Sequence, residues 1–133
     1  MKLIMLKGLP ASGKSTHARE LVRNNGYKRV NKDELRKMLD DGEYSPDKEH
    51  TIKDIQDKII VTCNNDNFSV VVDNTNLKPE DEIHFRSLAD RLGMDFEVIK
   101  FITSVDECVR RDSNRMDSVG VQVIYDMYER YMK

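Results

Sequence analysis

The sequence predicts an α/β domain, a parallel β-sheet with helices on both faces. Three observations predict it. Short apolar runs alternate with amphipathic stretches along the chain, the mark of strands joined by helical crossovers. The first apolar run, Leu3-Ile4-Met5-Leu6, passes through a glycine-bearing segment, Gly8-Leu9-Pro10-Ala11-Ser12-Gly13-Lys14-Ser15, into a helical stretch from Thr16 to Asn25. No repeat, linker or low-complexity tract interrupts the 133 residues, so residues 1–133 read as one domain of ordinary size.

Each element has its own signal. Tyr27 to Val30 is a short, weak strand candidate. Lys32 to Asp40 reads as a helix with Asn31 as its N-cap. Asp41-Gly42-Glu43-Tyr44-Ser45-Pro46 is a turn or loop. Asp47 to Asn64 is a long amphipathic helix, because Ile52, Ile55, Ile59 and Ile60 fall on one stripe. Phe68 to Val72 is a β-branched, buried strand. Pro79 to Leu92 starts on proline and stops before Gly93, as helices favour. Phe96 to Ile102 is another strand, Val105 to Asn114 an arginine-rich helix, and Val121 to Tyr131 the last helix.

Composition narrows the function. Lys and Arg number 22 against 24 Asp and Glu, a net charge of −2. That is not the balance of a protein that coats nucleic acid through phosphate contacts, although gripping a chain end needs fewer cations. Cys63 and Cys108 match no metal or redox spacing and read as free thiols of a reducing cytoplasm. No apolar run approaches membrane-spanning length. The first strand begins at once, which leaves no room for a signal peptide.

The segment from Gly8 to Ser15 has the spacing Gly, four residues, Gly-Lys-Ser, between a strand and a helix. This is the P-loop setting for a nucleoside triphosphate. Its glycines let several N–H groups point into one anion-sized hollow, which the positive end of the helix dipole also faces. Gly8, Ala11, Ser12, Gly13, Lys14, Ser15 and Thr16 are therefore the donor-binding candidates. Lys14 would reach the β- and γ-phosphates, and Ser15 would ligate Mg²⁺.

Three further clusters accompany the loop. Val70-Val71-Val72-Asp73 is an apolar strand ending in an acid, suited to support Mg²⁺ together with Ser15. Asn74, Thr75 and Asn76 follow it at the carboxyl edge of the sheet, where ligands of open α/β folds bind. Asp33 and Arg36 follow the second strand to the same edge. Asp33 could accept the proton of an acceptor hydroxyl, and Arg36, one turn on, could hold an anionic group. Arg111 and Arg115 are four apart and would share a helix face, as lid arginines do when they offset charge on a transferring phosphoryl group. The tyrosines at 125, 128 and 131 suit packing in the core or at an oligomer interface.

Together these segments resemble the polynucleotide kinase family, in particular the kinase domain of phage 5′-OH polynucleotide kinases. The match runs from end to end: Gly8 to Thr16, Asn31-Lys32-Asp33-Glu34 with Arg36, Asp73 to Glu80, and Arg111 to Arg115. The resemblance implies a P-loop kinase fold with a helical, arginine-bearing lid. It implies Mg²⁺-dependent transfer of the γ-phosphate of ATP, or another nucleoside triphosphate, to the 5′-hydroxyl end of DNA or RNA. Lys14 and Ser15 then serve the phosphates and Mg²⁺. Asp33 is the general base, Arg36 contacts the acceptor phosphate, and Arg111 and Arg115 act from the lid. In some phage relatives the strand-end acid falls at the position of Asn74. The expected location is cytoplasmic, that of the host if phage-encoded. The familiar phage enzyme continues into a phosphatase domain, and no 3′-end processing is expected of this chain. Two other readings stay open: a kinase of nucleosides, nucleotides or another metabolite, and an ATP-binding subunit of a repair or ligation system.

Overall fold

A computed structural model describes residues 1–133. Strands β1 (Lys2–Lys7), β2 (Lys28–Val30), β3 (Val70–Val72) and β4 (Asp95–Lys100) form one sheet in the order β2-β3-β1-β4. Every pairing is parallel; Leu3, for example, stands between Val70 and Phe96. The helices are α1 (Lys14–Asn25), α2 (Lys32–Asp40), α3 (Pro46–Asn65), α4 (Pro79–Leu92), α5 (Val105–Ser113) and α6 (Val121–Tyr131).

Strand alternation divides the core into two layers. Ile4, Leu6 and Val71 face α1 and pack on Ala18. Leu3, Met5, Val70 and Val72 face the other way, onto Ile52 and Ile60 of α3 and Phe85, Leu88 and Ala89 of α4. Burying each such aliphatic side chain contributes about 1.5–3 kcal/mol. A third cluster, Leu9, Leu77, Cys108 and Ile124, anchors α5 and α6 beneath the P-loop.

The predicted elements all form: β1, α1 and α3 run a residue or two longer than expected, β2, β3 and α5 end or start short, and α2, α4 and α6 keep their expected bounds. β3 starts at Val70 because the Phe68 amide instead donates to Cys63 O at 2.9 Å, closing the end of α3. Asn31 caps α2 as expected, its side chain accepting from the Glu34 N–H at 2.8 Å. Its amide group also donates to Asp73 O, so one residue starts α2 and ties β2 to β3.

Topology places the ligand edge. From β1 the chain crosses to β2, returns to β3, and then passes to β4 on the far side of β1. The carboxyl ends of β1 and β3 thus flank the point where the winding reverses, the place open α/β sheets keep for ligands.

Candidate active site

The loop after β1 is shaped for an anion. Gly13 has φ 106°, a conformation that glycine adopts freely, and α1 begins at Lys14 with no side-chain cap. The amides of Gly13, Lys14, Ser15 and Thr16 have no backbone acceptor, so four donors stay available for phosphate oxygens. Gly8 is required for another reason: a Cβ there would lie 2.9 Å from the Phe101 Cβ and 2.8 Å from Ser12 Oγ. Thr103 Oγ1 braces the loop by donating to Ser12 O at 2.8 Å.

Lys14 folds over this hollow. Its Nζ donates to Leu9 O at 2.6 Å and Gly8 O at 3.0 Å. Burial lowers its pKa to about 8; the charges of Asp73 and Asp33 work upward against that and Arg115 works with it. One ammonium therefore senses Asp73, Asp33 and Arg115 together.

Asp73 is 1% exposed and lies beside the loop. Ser15 Oγ donates to its Oδ2 at 2.9 Å, which leaves the serine oxygen's lone pairs unspent. A hydroxyl oxygen and a carboxylate are the hard donors that Mg²⁺ takes along with phosphate oxygens, so the donor set fits that ion.

After β2, Arg36 Nη1 donates to Asp33 Oδ1 at 2.5 Å, and its Nη2 and Nε grip Glu49 at 2.6 and 3.0 Å. Burial works against charge on both members of the Arg36–Glu49 pair. Their mutual hydrogen bonds outweigh it, holding Glu49 below the usual carboxylate range and Arg36 above its own value. Arg36, Asn74, Thr75 and Asn76 line one cavity of about 370 Å³. Asn74 is braced, accepting from the Lys32 N–H and donating to Gln56. Asn76 is left-handed (φ 49°), which asparagine tolerates, and donates to Leu6 O at 2.6 Å. The Thr75 carbonyl accepts the Gly8 N–H, joining the segment after β3 to the P-loop.

The segment expected to act as an arginine-bearing lid differs from expectation in its helix end. α5 ends at Ser113, so Arg115 lies beyond it and does not share a helix face with Arg111. The helix stops because Asp112 draws the following chain back: it accepts from Ser118 Oγ and from the amides of Val119 and Gly120. The same carboxylate holds Arg115 Nη2 at 2.6 Å. Arg111 keeps its place over the loop, its Nη1 3.9 Å from where a Gly13 Cβ would stand.

A family model described as an AAA domain matches residues 3–132. The chain belongs to the AAA domain family. Among solved structures, this AAA domain resembles a chain of the Pnkp1/Rnl/Hen1 RNA repair complex at 27% identity and TM-score 0.85, covering 98% of this chain and 43% of the other. A second structure of the Pnkp1/Rnl/Hen1 complex gives 28% identity and TM-score 0.75, covering 88% and 43%. The chain thus spans less than half the length of these two relatives. The Mycobacterium tuberculosis APS kinase CysC, in complex with AMPPNP and APS, matches at 24% identity and TM-score 0.66, over 85% of this chain and 69% of the kinase. A gluconokinase from Sinorhizobium meliloti 1021 matches at 16% and 0.69, over 99% and 75%. The last two share the fold. The resemblance to the kinase domain of polynucleotide kinases stands, and the fold is that of kinase-type P-loop phosphotransferases, whose phosphate donor is a nucleotide.

Sequence reading missed several working parts of this AAA domain. Arg29 Nε holds Asp73 at 2.7 Å, but it sits on a strand too short to advertise its faces. Glu49 sits in the first turn of α3, where an acid reads as an ordinary helix start. Asp112 was hidden inside the arginine cluster. No helix is long and apolar enough to cross a membrane.

Proposed function

We propose that this domain, residues 1–133 acting as one catalytic unit, transfers the γ-phosphate of ATP to the 5′-hydroxyl end of DNA or RNA. One observation carries the reading. Asp33 is exposed and bonded to Arg36, which lines a cavity with Thr75, and the Thr75 carbonyl holds Gly8 of the loop that carries four free amides and Lys14. Further support comes from the likeness, over nearly the whole chain, to a chain of an RNA repair complex.

The amides of Gly13 to Thr16 and Lys14 bind the donor's β- and γ-phosphates. Ser15 and Asp73 would hold a magnesium ion, which when bound neutralises phosphate charge. Arg36 holds the acceptor's nearest phosphate and so sets its 5′-hydroxyl near Asp33. The Asp33 carboxylate takes the hydroxyl proton as the oxygen attacks the γ-phosphorus, and the bond to the β–γ bridging oxygen breaks, releasing ADP. Arg111 and Arg115 offset the charge that develops on the transferred group and the leaving oxygen.

Labelled ATP with 5′-OH DNA, 5′-OH RNA, nucleosides and mononucleotides tests this. Transfer to the oligonucleotides, lost in Asp33→Asn, is the expected result. Transfer only to the small acceptors would make the protein a metabolite kinase. ATP binding without transfer to any hydroxyl would make it a nucleotide-binding subunit.

A further inference from the structure

The cavity beside Arg36 holds more cationic charge than one acceptor phosphate requires. Five lysine and arginine side chains line it against three carboxylates, in a chain whose net charge is −2. The five do not have equal freedom. Lys32 and Arg36 are committed to Glu49, at 3.3 and 2.6 Å. Lys53, Lys78 and Arg130 have no carboxylate partner within ion-pair distance. The other two cavity acids are engaged locally: Asp81 accepts the Lys78 backbone N–H and Asp126 accepts Gln122. The free cations come from α3, from the residue before α4 and from α6, yet all face one concavity. A net excess of positive charge around a concavity raises the local potential and draws anions there.

A second pattern lies on top of the charge. Arg36 stands 5.6 Å from the Tyr44 ring centroid and Arg130 stands 5.6 Å from that of Tyr131. All four residues line the cavity. Each pair sets a guanidinium over one side of a tyrosine ring, and Tyr131 also packs against the cluster of Leu9, Leu77, Cys108 and Ile124; a cation beside an aromatic ring is what single-strand sites set against a nucleotide's phosphate and base.

We propose that Arg130 with Tyr131, flanked by Lys53 and Lys78, is a second nucleotide subsite, which takes the phosphodiester and base one step beyond the nucleotide held at Arg36 and Tyr44. The inference rests on the polynucleotide kinase reading and narrows its substrate class. Chains of two or more nucleotides are preferred acceptors, and a nucleoside 3′-monophosphate fills half the cavity.

The test has a kinetic and a binding arm. In the first, KM is measured for a 5′-OH nucleoside 3′-monophosphate, a dinucleotide 3′-phosphate and a hexamer, with wild type, Arg130→Gln and Lys53→Ala/Lys78→Ala. These side chains are exposed, so the variants fold. The expected result is a wild-type KM lower for the dinucleotide than for the monophosphate. Arg130→Gln should raise the dinucleotide and hexamer KM about tenfold, leaving kcat and the monophosphate KM as they were. In the second, a 3′-labelled 5′-OH hexamer is titrated by fluorescence anisotropy across a salt series. Each cation removed should flatten the log–log salt slope by about 0.7. Equal wild-type KM for one and two nucleotides, or an unchanged slope in the variants, would overturn the subsite. Absence of transfer to any 5′-OH acceptor would instead sink the kinase reading, and the binding arm would still decide whether the cavity takes two nucleotides.

Discussion

Arg29 Nε donates to Asp73 Oδ2 at 2.7 Å, and that same oxygen accepts the Ser15 hydroxyl at 2.9 Å. One buried carboxylate therefore joins β2, β3 and the first turn of α1. Taking away one partner of such a pair leaves an uncompensated charge, whereas taking away both leaves none. Arg29→Met should cost about 3 kcal/mol. The double variant Arg29→Met/Asp73→Asn should recover most of it. Urea unfolding of the two singles and the double gives the cycle, and additive losses would mean that the pair is not coupled.

Lys14 makes stability depend on alkaline pH. Its pKa in the folded chain is lowered by burial to about 8, against 10.5 for the ordinary side chain. Between those values the unfolded chain binds more protons, so this residue's contribution to stability rises with pH. Below about 8 the cost of the buried cation is fully present. Relative to Lys14→Met, the wild type should gain stability from pH 8 to 10, seen as a shift in urea midpoint difference. Phosphate oxygens at the loop favour the charged amine, so nucleotide binding above pH 8 should take up a proton. Calorimetry in buffers of different ionisation enthalpy reads that uptake, which Lys14→Met should lose.

The fold was legible where local chemistry and tertiary packing agree. Asn31, Pro79 and Gly93 fix helix ends whatever surrounds them, and Val70 to Val72 are buried because nothing in them is polar. The donor half of the site was legible for a similar reason, since backbone geometry there demands Gly8 and Gly13 at fixed spacing. Arg29, Glu49 and Asp112 were not. Each acts on a residue 44, 13 or three to eight positions away, and a charged residue's partner follows from topology, not from its neighbours. Arg115 shows the same limit: spacing put it on a helix that Asp112 ends two residues earlier.

Asp112 should prove as intolerant of asparagine as of alanine. Burial pushes its carboxyl up, but the Arg115, Ser118, Val119 and Gly120 donors outweigh that and hold it well below the usual range. Oδ1 faces the Arg115 and Val119 N–H groups, and Oδ2 faces the Ser118 hydroxyl and the Gly120 N–H. An amide NH₂ at either position would meet donors with a donor. Both Asp112→Asn and Asp112→Ala should therefore free Arg115 and lower kcat about 10- to 100-fold, with a stability loss of about 1–3 kcal/mol. Because the carboxyl is depressed in the folded state, its contribution is present above the unfolded pKa near 4 and fades as pH falls below it. Acid titration of unfolding should show a flatter approach in Asp112→Ala. Near-wild-type turnover in Asp112→Asn would show that the carboxylate does not position the lid.

Lys37 of α2 donates to Asp117, 80 residues on, at 2.7 Å. The pair ties the helix that carries Asp33 and Arg36 to the segment just past Arg115. Both side chains are exposed, and exposed pairs contribute little to stability, so Lys37→Glu should leave the melting temperature unchanged. Its effect should appear in kinetics, because in the proposed reaction Arg111 and Arg115 face Asp33 across the same phosphoryl group. The expected outcome is a several-fold fall in kcat/KM for Lys37→Glu and for Asp117→Lys. The charge-swapped double variant, with opposite charges facing each other again, should regain most of the loss. Equal impairment in the double and the singles would mean that the two side chains act separately, and that α2 does not position Arg115.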